Sequence, residues 1–379
     1  MRIGILGAGP AGLYAATLIK RAKPDADIQI FDQSPADATW GFGVVFSKRA
    51  LEFLREGDPE TADLIEPKME TWDGITISHK GEKVKVDGIG FSAIGRLEML
   101  KLFQQQAAKV GVKPIYDMRI DSLSVFDGAD LVIAADGLNS VVRAEAPQSY
   151  GEKTYFLHNR FCWYGTTKPF ETLTQTFKET EYGFFNVHHY RFSPNQSTFL
   201  VECDEVAFRN AGFENMLEEE YRKICEGIFV EEFEGHALIN NNSIWRRFPV
   251  LENARWYHKN RVLVGDALHT AHYSIGSGTR LAMEDVIALV DALKENDFDV
   301  TKALPAYQEK RQPVLTKLTA AALSSALWYE NFGEHMALDP WELARSYALR
   351  SGRLSIEDVA KISPRFVEQL NLREKEAAL

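Results

Sequence analysis

Near its start the chain reads Gly7-x-Gly9-x-x-Gly12, and this spacing restricts what the surrounding segment can become. Residues 2–6 are an apolar run of strand type, and Ala11 to about Arg21 has helical spacing, so the glycines stand between strand and helix. Gly7 permits a tight turn, Gly9 lets a pyrophosphate approach the backbone, and Gly12 allows close helix–strand packing. Ala11, in the first helical turn, adds a free N–H to the positive end of the helix dipole. A second strand, Ile28 to Phe31, ends at Asp32, where a carboxylate accepts hydrogen bonds from ribose hydroxyls. The segment reads as a βαβ unit that binds a dinucleotide.

Two later segments extend the motif. LVIAADGLNSVVR places Asp136-Gly137 after a buried strand at Asp130–Ala135, and RVLVGDALHTAHYSIGSGTRLAMED places Gly265-Asp266 after another at Arg261–Val264. Strand C-termini are where open α/β sheets bind ligands. The stretch Trp40 to Val45 reads as a Gly-broken loop lying on a ligand, followed by a helix at 47–56. Short strands are expected at Ile75–Ser78 and Val84–Val86, and a helix at Arg96–Val110. Residues 152–203 read as antiparallel sheet, clearest at Phe184–Tyr190 and Thr198–Cys203 around a turn at 193–195. Further on come a helix at 214–227, a strand at Ser243–Phe248 and a helix at 280–294. Residues 300–379 read as mostly helical, broken at Pro305, Pro313, Pro340 and Pro364.

The expected architecture is α/β: a Rossmann-like nucleotide-binding domain interleaved with a mainly antiparallel β-sheet substrate domain, and a helical C-terminus. The first takes 1–70, 95–150 and 255–310, the second 71–94 and 151–254, and the helical segment 311–379.

The formal net charge of -11 argues against nucleic acid or an anionic membrane as partner. Cys162, Cys203 and Cys225 form no CxxC pair and no zinc pattern, which points to a reducing compartment, the cytoplasm. No apolar stretch approaches the roughly 20 residues of a membrane span. No metal site is expected.

With these motifs in place the sequence resembles the group A flavoprotein monooxygenases, the family of para-hydroxybenzoate hydroxylase, over roughly residues 1–310. The resemblance implies FAD as cofactor, with the glycine motif and Asp32 on its ADP half. Arg96, in R-x-x-L, would meet the ribose or pyrophosphate region, and Asp136-Gly137 would serve FAD and nicotinamide. Asp266, after Gly265, would hold the ribityl chain. The helix starting near Gly276, Gly278 and Thr279 would point its N-terminus at the flavin pyrimidine ring, where reduced flavin carries negative charge. Gly43 and Val44 match the family's flavin-contacting loop. WGFGVVFS, WYGTT, STFLVEC and HYSIGSGTRLAMED look like the hydroxylases of 2-aminobenzoyl-CoA and salicylyl-CoA, and like the indole-oxidising hydroxylase of violacein biosynthesis. The activity implied is NADH- or NADPH- and O2-using hydroxylation of an electron-rich aromatic ring through a flavin C4a-hydroperoxide. A free indole or aromatic acid as substrate, or a reductase or oxidase on the same fold, are the alternatives. The protein is expected to be a monomer or homodimer.

Three positions depart from the family pattern: Tyr273 stands where proline is usual, Arg280 where asparagine is usual, and Gly41 near a usual arginine. They bear on substrate placement. Trp163, Tyr164 and His188 are expected to reach the substrate pocket. Alternate strand residues share a face, which groups Phe184, Asn186, His188 and Tyr190, with Thr198, Leu200 and Glu202 on another. His269 reads as a local hydrogen-bonder whose cationic form would support flavin charge. Arg280 is either a solvated arginine or a holder of a carboxylate or phosphate.

Overall fold

The computed structural model describes residues 1–377. Fourteen strands, β1 to β14 in chain order, form two sheets among these residues. The smaller sheet runs Tyr257–His258 (β13), Arg261–Leu263 (β14), Leu131–Ala134 (β6), Arg2–Leu6 (β1), Asp27–Phe31 (β2). Its last four strands are parallel, with Ile3 beside both Ile28 and Leu131. Such strands are covered on both faces, which is why they read as continuous apolar runs. Helices Pro10–Ala22 and Gly278–Glu295 bury Leu13, Ala16, Ile19, Leu281, Val286 and Leu289 in one core with Ile5, Ile30 and Ile133. Full burial of each large aliphatic side chain contributes roughly 1.5–3 kcal/mol.

The larger sheet runs Leu238–Ile239 (β11), Glu152–Thr166 (β7), Gln196–Cys203 (β10), Gly183–Ser193 (β9), Leu173–Thr180 (β8), Glu70–His79 (β4), Glu82–Gly95 (β5), Gly43–Ser47 (β3). Arg246–Asn253 (β12) pairs with the first half of β7. The sheet is antiparallel apart from β4 beside β8. Its strand register fixes which side chains share a face. Leu200 lies opposite both Trp163 and His188, and Glu202 opposite Asn186. Thr198, Leu200 and Glu202 therefore share the face of His188 and Tyr190 rather than taking another, because directly paired residues point the same way.

Three local expectations are corrected. Within the stretch 40–45 expected as loop, residues 43–45 belong instead to strand β3 (Gly43–Ser47), paired to β5 and burying Val44, Val45 and Phe46. The strand expected at Ser243–Phe248 begins at Arg246, because Ser243 is held in a turn, its N–H donating to Asn240 Oδ1 and its hydroxyl to Trp163 O. Pro305 and Pro313 break nothing: Val300–Glu330 is one continuous helix. An interior proline costs about 3 kcal/mol, here offset by burial of Leu304, Tyr307, Leu315, Ala322 and Tyr329 along the same helix. Pro340 and Pro364 instead open helices Pro340–Leu349 and Pro364–Ala377, where a missing N–H costs little. These two helices cover β4 and β5 with Leu343, Tyr347 and Phe366.

Candidate active site

The four strand ends picked out by the glycines and aspartates come together at one edge of the small parallel sheet: Gly7 after β1, Asp32 after β2, Asp136 after β6, Gly265 and Asp266 after β14. Gly7 has φ +100°, and a Cβ there would lie 2.2 Å from Ala135 O. A Cβ on Gly12 would lie 1.8 Å from Gly7 O, whereas one on Gly9 would meet nothing within 4 Å. Gly9 caps the helix without a side-chain bond, so the first-turn N–H groups of Ala11 and Gly12 stay open to an anion. Asp32 pins the turn: Oδ2 accepts from Ala8 N–H at 2.7 Å and Oδ1 from Ser34 N–H at 2.8 Å. Each oxygen keeps a lone pair for a ribose hydroxyl.

Gly12→Ala is expected to lower stability by more than about 2 kcal/mol and to strip bound flavin, since the obstructing atom is backbone and cannot rotate away. Thermal unfolding and the visible absorbance of the purified variant check this.

Asp136 accepts from Val141 N–H at 2.7 Å through Oδ2, while Oδ1 is buried with no partner. Burial pushes its carboxyl pKa up, against the hydrogen bonds from Ser140 and Val141. Gly137 beside it has φ +77°. Asp266 is reached by solvent but ringed by protein, and surroundings of low polarity raise its pKa against the opposing fields of His269 and Arg96. The Gly265–Asp266 turn is braced from below. Asp285 Oδ2 accepts from Gly265 N–H at 3.2 Å and meets His269 Nε2 at 2.7 Å, and Oδ1 accepts from Arg311 Nε at 3.0 Å. His269 is thus a local hydrogen-bonder. Arg280 is largely buried rather than solvated: its Nε bonds Glu284 at 2.5 Å, and Glu284 also bonds Arg311 at 2.8 Å. Gly276 turns the chain at φ +59°, and a Cβ on Gly278 would meet nothing within 4 Å. The N-terminus of Gly278–Glu295, with Thr279 in its first turn, has no side-chain cap at Ser277.

Arg96 opens the Arg96–Lys109 helix with its guanidinium 5.9 Å from the Trp163 ring. No carboxylate among the described residues lies within 4 Å of it. Burial lowers its pKa, opposed by the field of Asp266. A half-buried guanidinium with no carboxylate beside it suits an anionic partner. Gly43 N–H donates to Thr198 Oγ1 and Gly43 O accepts from Tyr190 Oη, both at 3.0 Å, and a Cβ there would lie 2.7 Å from Phe192. Sheet packing alone therefore accounts for glycine at 43, and Val44 beside it is buried.

Trp163 and His188 lie on the sheet face that looks toward Arg96 and Tyr273. Tyr164 does not: it is fully buried on the opposite face among Cys162, Phe185, Phe199 and Val201. Adjacent strand residues point to opposite sides, so Trp163 and Tyr164 cannot line one pocket. Gln175, Tyr329 and Asn159 join the His188 side and had no mark in the sequence. Tyr329 comes from a helix 154 residues away from Gln175.

The orphaned Asp136 oxygen, the unpaired Arg96, the open glycine backbone and two uncapped helix N-termini fit the pyrophosphate, ribose and ribityl groups of FAD. Fold and site define a flavin-dependent oxidoreductase. The FAD binding domain family matches residues 101–322. The chain is 36% identical to the salicyloyl-CoA 5-hydroxylase of a Streptomyces species, over 96% of this chain and 72% of that protein. It is 33% identical to the 3-hydroxy-4-methyl-anthranilyl-[aryl-carrier protein] 5-monooxygenase of Streptosporangium sibiricum, over 95% of this chain and 97% of that protein. Among solved structures, 2-methyl-3-hydroxypyridine-5-carboxylic acid oxygenase shares the fold with a TM-score of 0.69 at 17% identity, covering 95% of this chain and 97% of that one. The chain belongs to the group A flavoprotein monooxygenases. It is an FAD-dependent aromatic hydroxylase that uses NADH or NADPH and O2. No helix among the described residues is long and apolar enough to cross a membrane.

Proposed function

We propose that the substrate is a salicylyl- or 2-aminobenzoyl-type ring, carried as a CoA thioester. The observation that carries this reading is the sheet face above the small sheet's ligand edge. It offers Trp163 and Phe161, the latter 4.9 Å from the Tyr273 ring, with the polar groups of His188 and Glu202 beyond. An electron-rich ring with one hydrogen-bonding substituent suits such a slot. The names of the two relatives point to the same ring chemistry, one 2-hydroxybenzoyl and one 2-aminobenzoyl, each on a carrier.

The division of labour follows the motifs. Residues 1–70, 95–150 and 255–310 hold FAD, residues 71–94 and 151–254 hold substrate, and the described part of the C-terminal helical segment, 311–377, covers both. Gly7, Gly9, Ala11, Gly12 and Arg96 take the pyrophosphate, Asp32 the ribose, Asp136 and Asp266 further hydroxyls, and Gly276, Gly278 and Thr279 the pyrimidine edge. Gly43, Val44 and Gly137 shape the walls. When bound, FAD supplies electrons taken from NADH or NADPH and activates O2. The chain's own work is to hold the ring at the flavin and keep water out. The enzyme acts in the cytoplasm, in keeping with three free, buried cysteines, as a monomer or homodimer.

Product mass from a panel of free and CoA-linked 2-hydroxy- and 2-aminobenzoates and indoles tests the reading. The expected result is one added oxygen atom on a CoA-linked ring. Oxygen insertion confined to a free acid or an indole, or NADPH consumption that needs no O2, overturns it.

A further inference from the structure

The turn that leads into the helix assigned to the flavin is held from the C-terminal part of the chain. Tyr273–Ile275 form one tight turn, Gly276 follows with φ +59°, and the helix starts at Gly278. Ser274 Oγ lies 2.8 Å from Ser325 Oγ and 2.9 Å from His272 Nδ1. Ser274 O accepts from Arg350 Nη2 at 2.8 Å. Arg350 follows the helix Pro340–Leu349 and stands beyond residues 101–322, the stretch that matches the family.

A basic residue at a helix C-terminus is ordinary, because the last carbonyls carry partial negative charge. Arg350 Nη1 serves that end, donating to Tyr347 O at 2.8 Å, with the guanidinium 3.7 Å from the centre of the Tyr347 ring. The rest of the group points elsewhere. Nη2 reaches across to Ser274 O, and Nε is buried with no partner. Two carbonyls therefore answer Arg350, and no carboxylate among the described residues lies within 4 Å of it. The charges on the flavin helix answer one another instead: Arg280 bonds Glu284, and Arg311 bonds Glu284 and Asp285. Four residues of chain separate Ser274 from Gly278, at most about 14 Å even if extended, and the turn shortens that. A unit charge roughly 10 Å away, at an effective dielectric constant of about 20, changes an equilibrium by roughly 10-fold.

We propose that Arg350 is a positioning residue for the flavin: it holds the Tyr273–Ile275 turn through Ser274 O and sets a positive charge without a counter-ion behind the pyrimidine edge. Hydride transfer from NADH or NADPH leaves NAD+ or NADP+ and gives the ring two electrons and one negative charge. Arg350 stabilises that negative charge and so favours the reduced ring. The inference rests on the placement of the pyrimidine edge at Gly276, Gly278 and Thr279.

The test reduces holoenzyme slowly beside a two-electron reference dye and reads the ratio of reduced to oxidised flavin from visible absorbance at a fixed dye ratio. Arg350→Gln keeps an amide donor for one carbonyl but no charge. It should retain flavin and lower the ratio about 10-fold. Arg350→Lys keeps the charge and loses the fork, and should stay within about 3-fold of wild type. Thr279→Asp, which puts a negative charge in the helix's first turn, reports on the placement itself and should lower the ratio by about 10-fold or more. A ratio as low in Arg350→Lys as in Arg350→Gln makes the role structural and overturns the proposal. A ratio lowered in Thr279→Asp but unmoved in Arg350→Gln overturns the proposal alone. A ratio unmoved in Thr279→Asp overturns the placement of the pyrimidine edge and the proposal with it.

Discussion

Asp266→Ala is expected to yield a folded protein that purifies with little or no flavin and whose affinity for added FAD is weaker by roughly 30- to 1,000-fold. The magnitude follows from removing one or two hydrogen bonds to a charged acceptor, about 2–4 kcal/mol in all. Nothing else in the turn can substitute. Gly265 N–H is occupied by Asp285, and the Arg96 guanidinium, whose field reaches Asp266, only donates and cannot accept from a hydroxyl. The turn itself should survive, because its bracing by Asp285, His269 and Arg311 does not pass through the Asp266 side chain. Circular dichroism separates loss of ligand from loss of fold, and titration of the apoprotein with FAD gives the affinity. A fully yellow variant with wild-type affinity would remove Asp266 from the cofactor site.

Readability from sequence tracks the range over which each feature is determined. The glycine motif needs only its neighbours: the close approach of Gly12 to Gly7 O is set within six residues of chain, and spacing alone announces it. Asp136 and Asp266 were legible because each follows a continuous apolar run, which only a doubly covered parallel strand needs. Strand β3 was misread because Gly41 and Gly43 suggested a loop. Gly43 is there for a different reason, the pressure of Phe192 and Thr198 from across the sheet. Tyr164 was an avoidable error, since period-two alternation already separated it from Trp163. Pro305 and Pro313 could not be read locally, for their cost is offset by tertiary burial of the helix that contains them. The Gln175–Tyr329 contact has no local mark at all, because it depends on how the long helix crosses the sheet.

Acid should destabilise this protein from the neutral side of the histidine range, well before the carboxylates titrate. Burial pushes His189 down to about 3, aided by Lys83 and His188, and burial pushes His272 down to about 3, against the opposing field of Glu202. Both are 5% exposed or less. In the unfolded chain each titrates near about 6.5. A depressed folded-state pKa means the native protein binds fewer protons, so this stability is fully present above pH of about 6.5. It is lost progressively as pH falls from there toward about 3, at about 1.4 kcal/mol per pH unit for each histidine. His189 offers the clean test. It lies on the sheet face away from the FAD edge, 4.0 Å from the Phe170 ring, with Nε2 3.0 Å from Thr176 Oγ1. His189→Gln keeps a polar partner for Thr176 and removes the titration. Denaturant unfolding of the holoenzyme at pH 7, 6 and 5 should show the variant losing about 1.4 kcal/mol less per unit than wild type below pH of about 6.5. Parallel curves would mean that His189 is protonated in the native protein, which its apolar surroundings of Phe170 and Phe199 forbid on the geometry found.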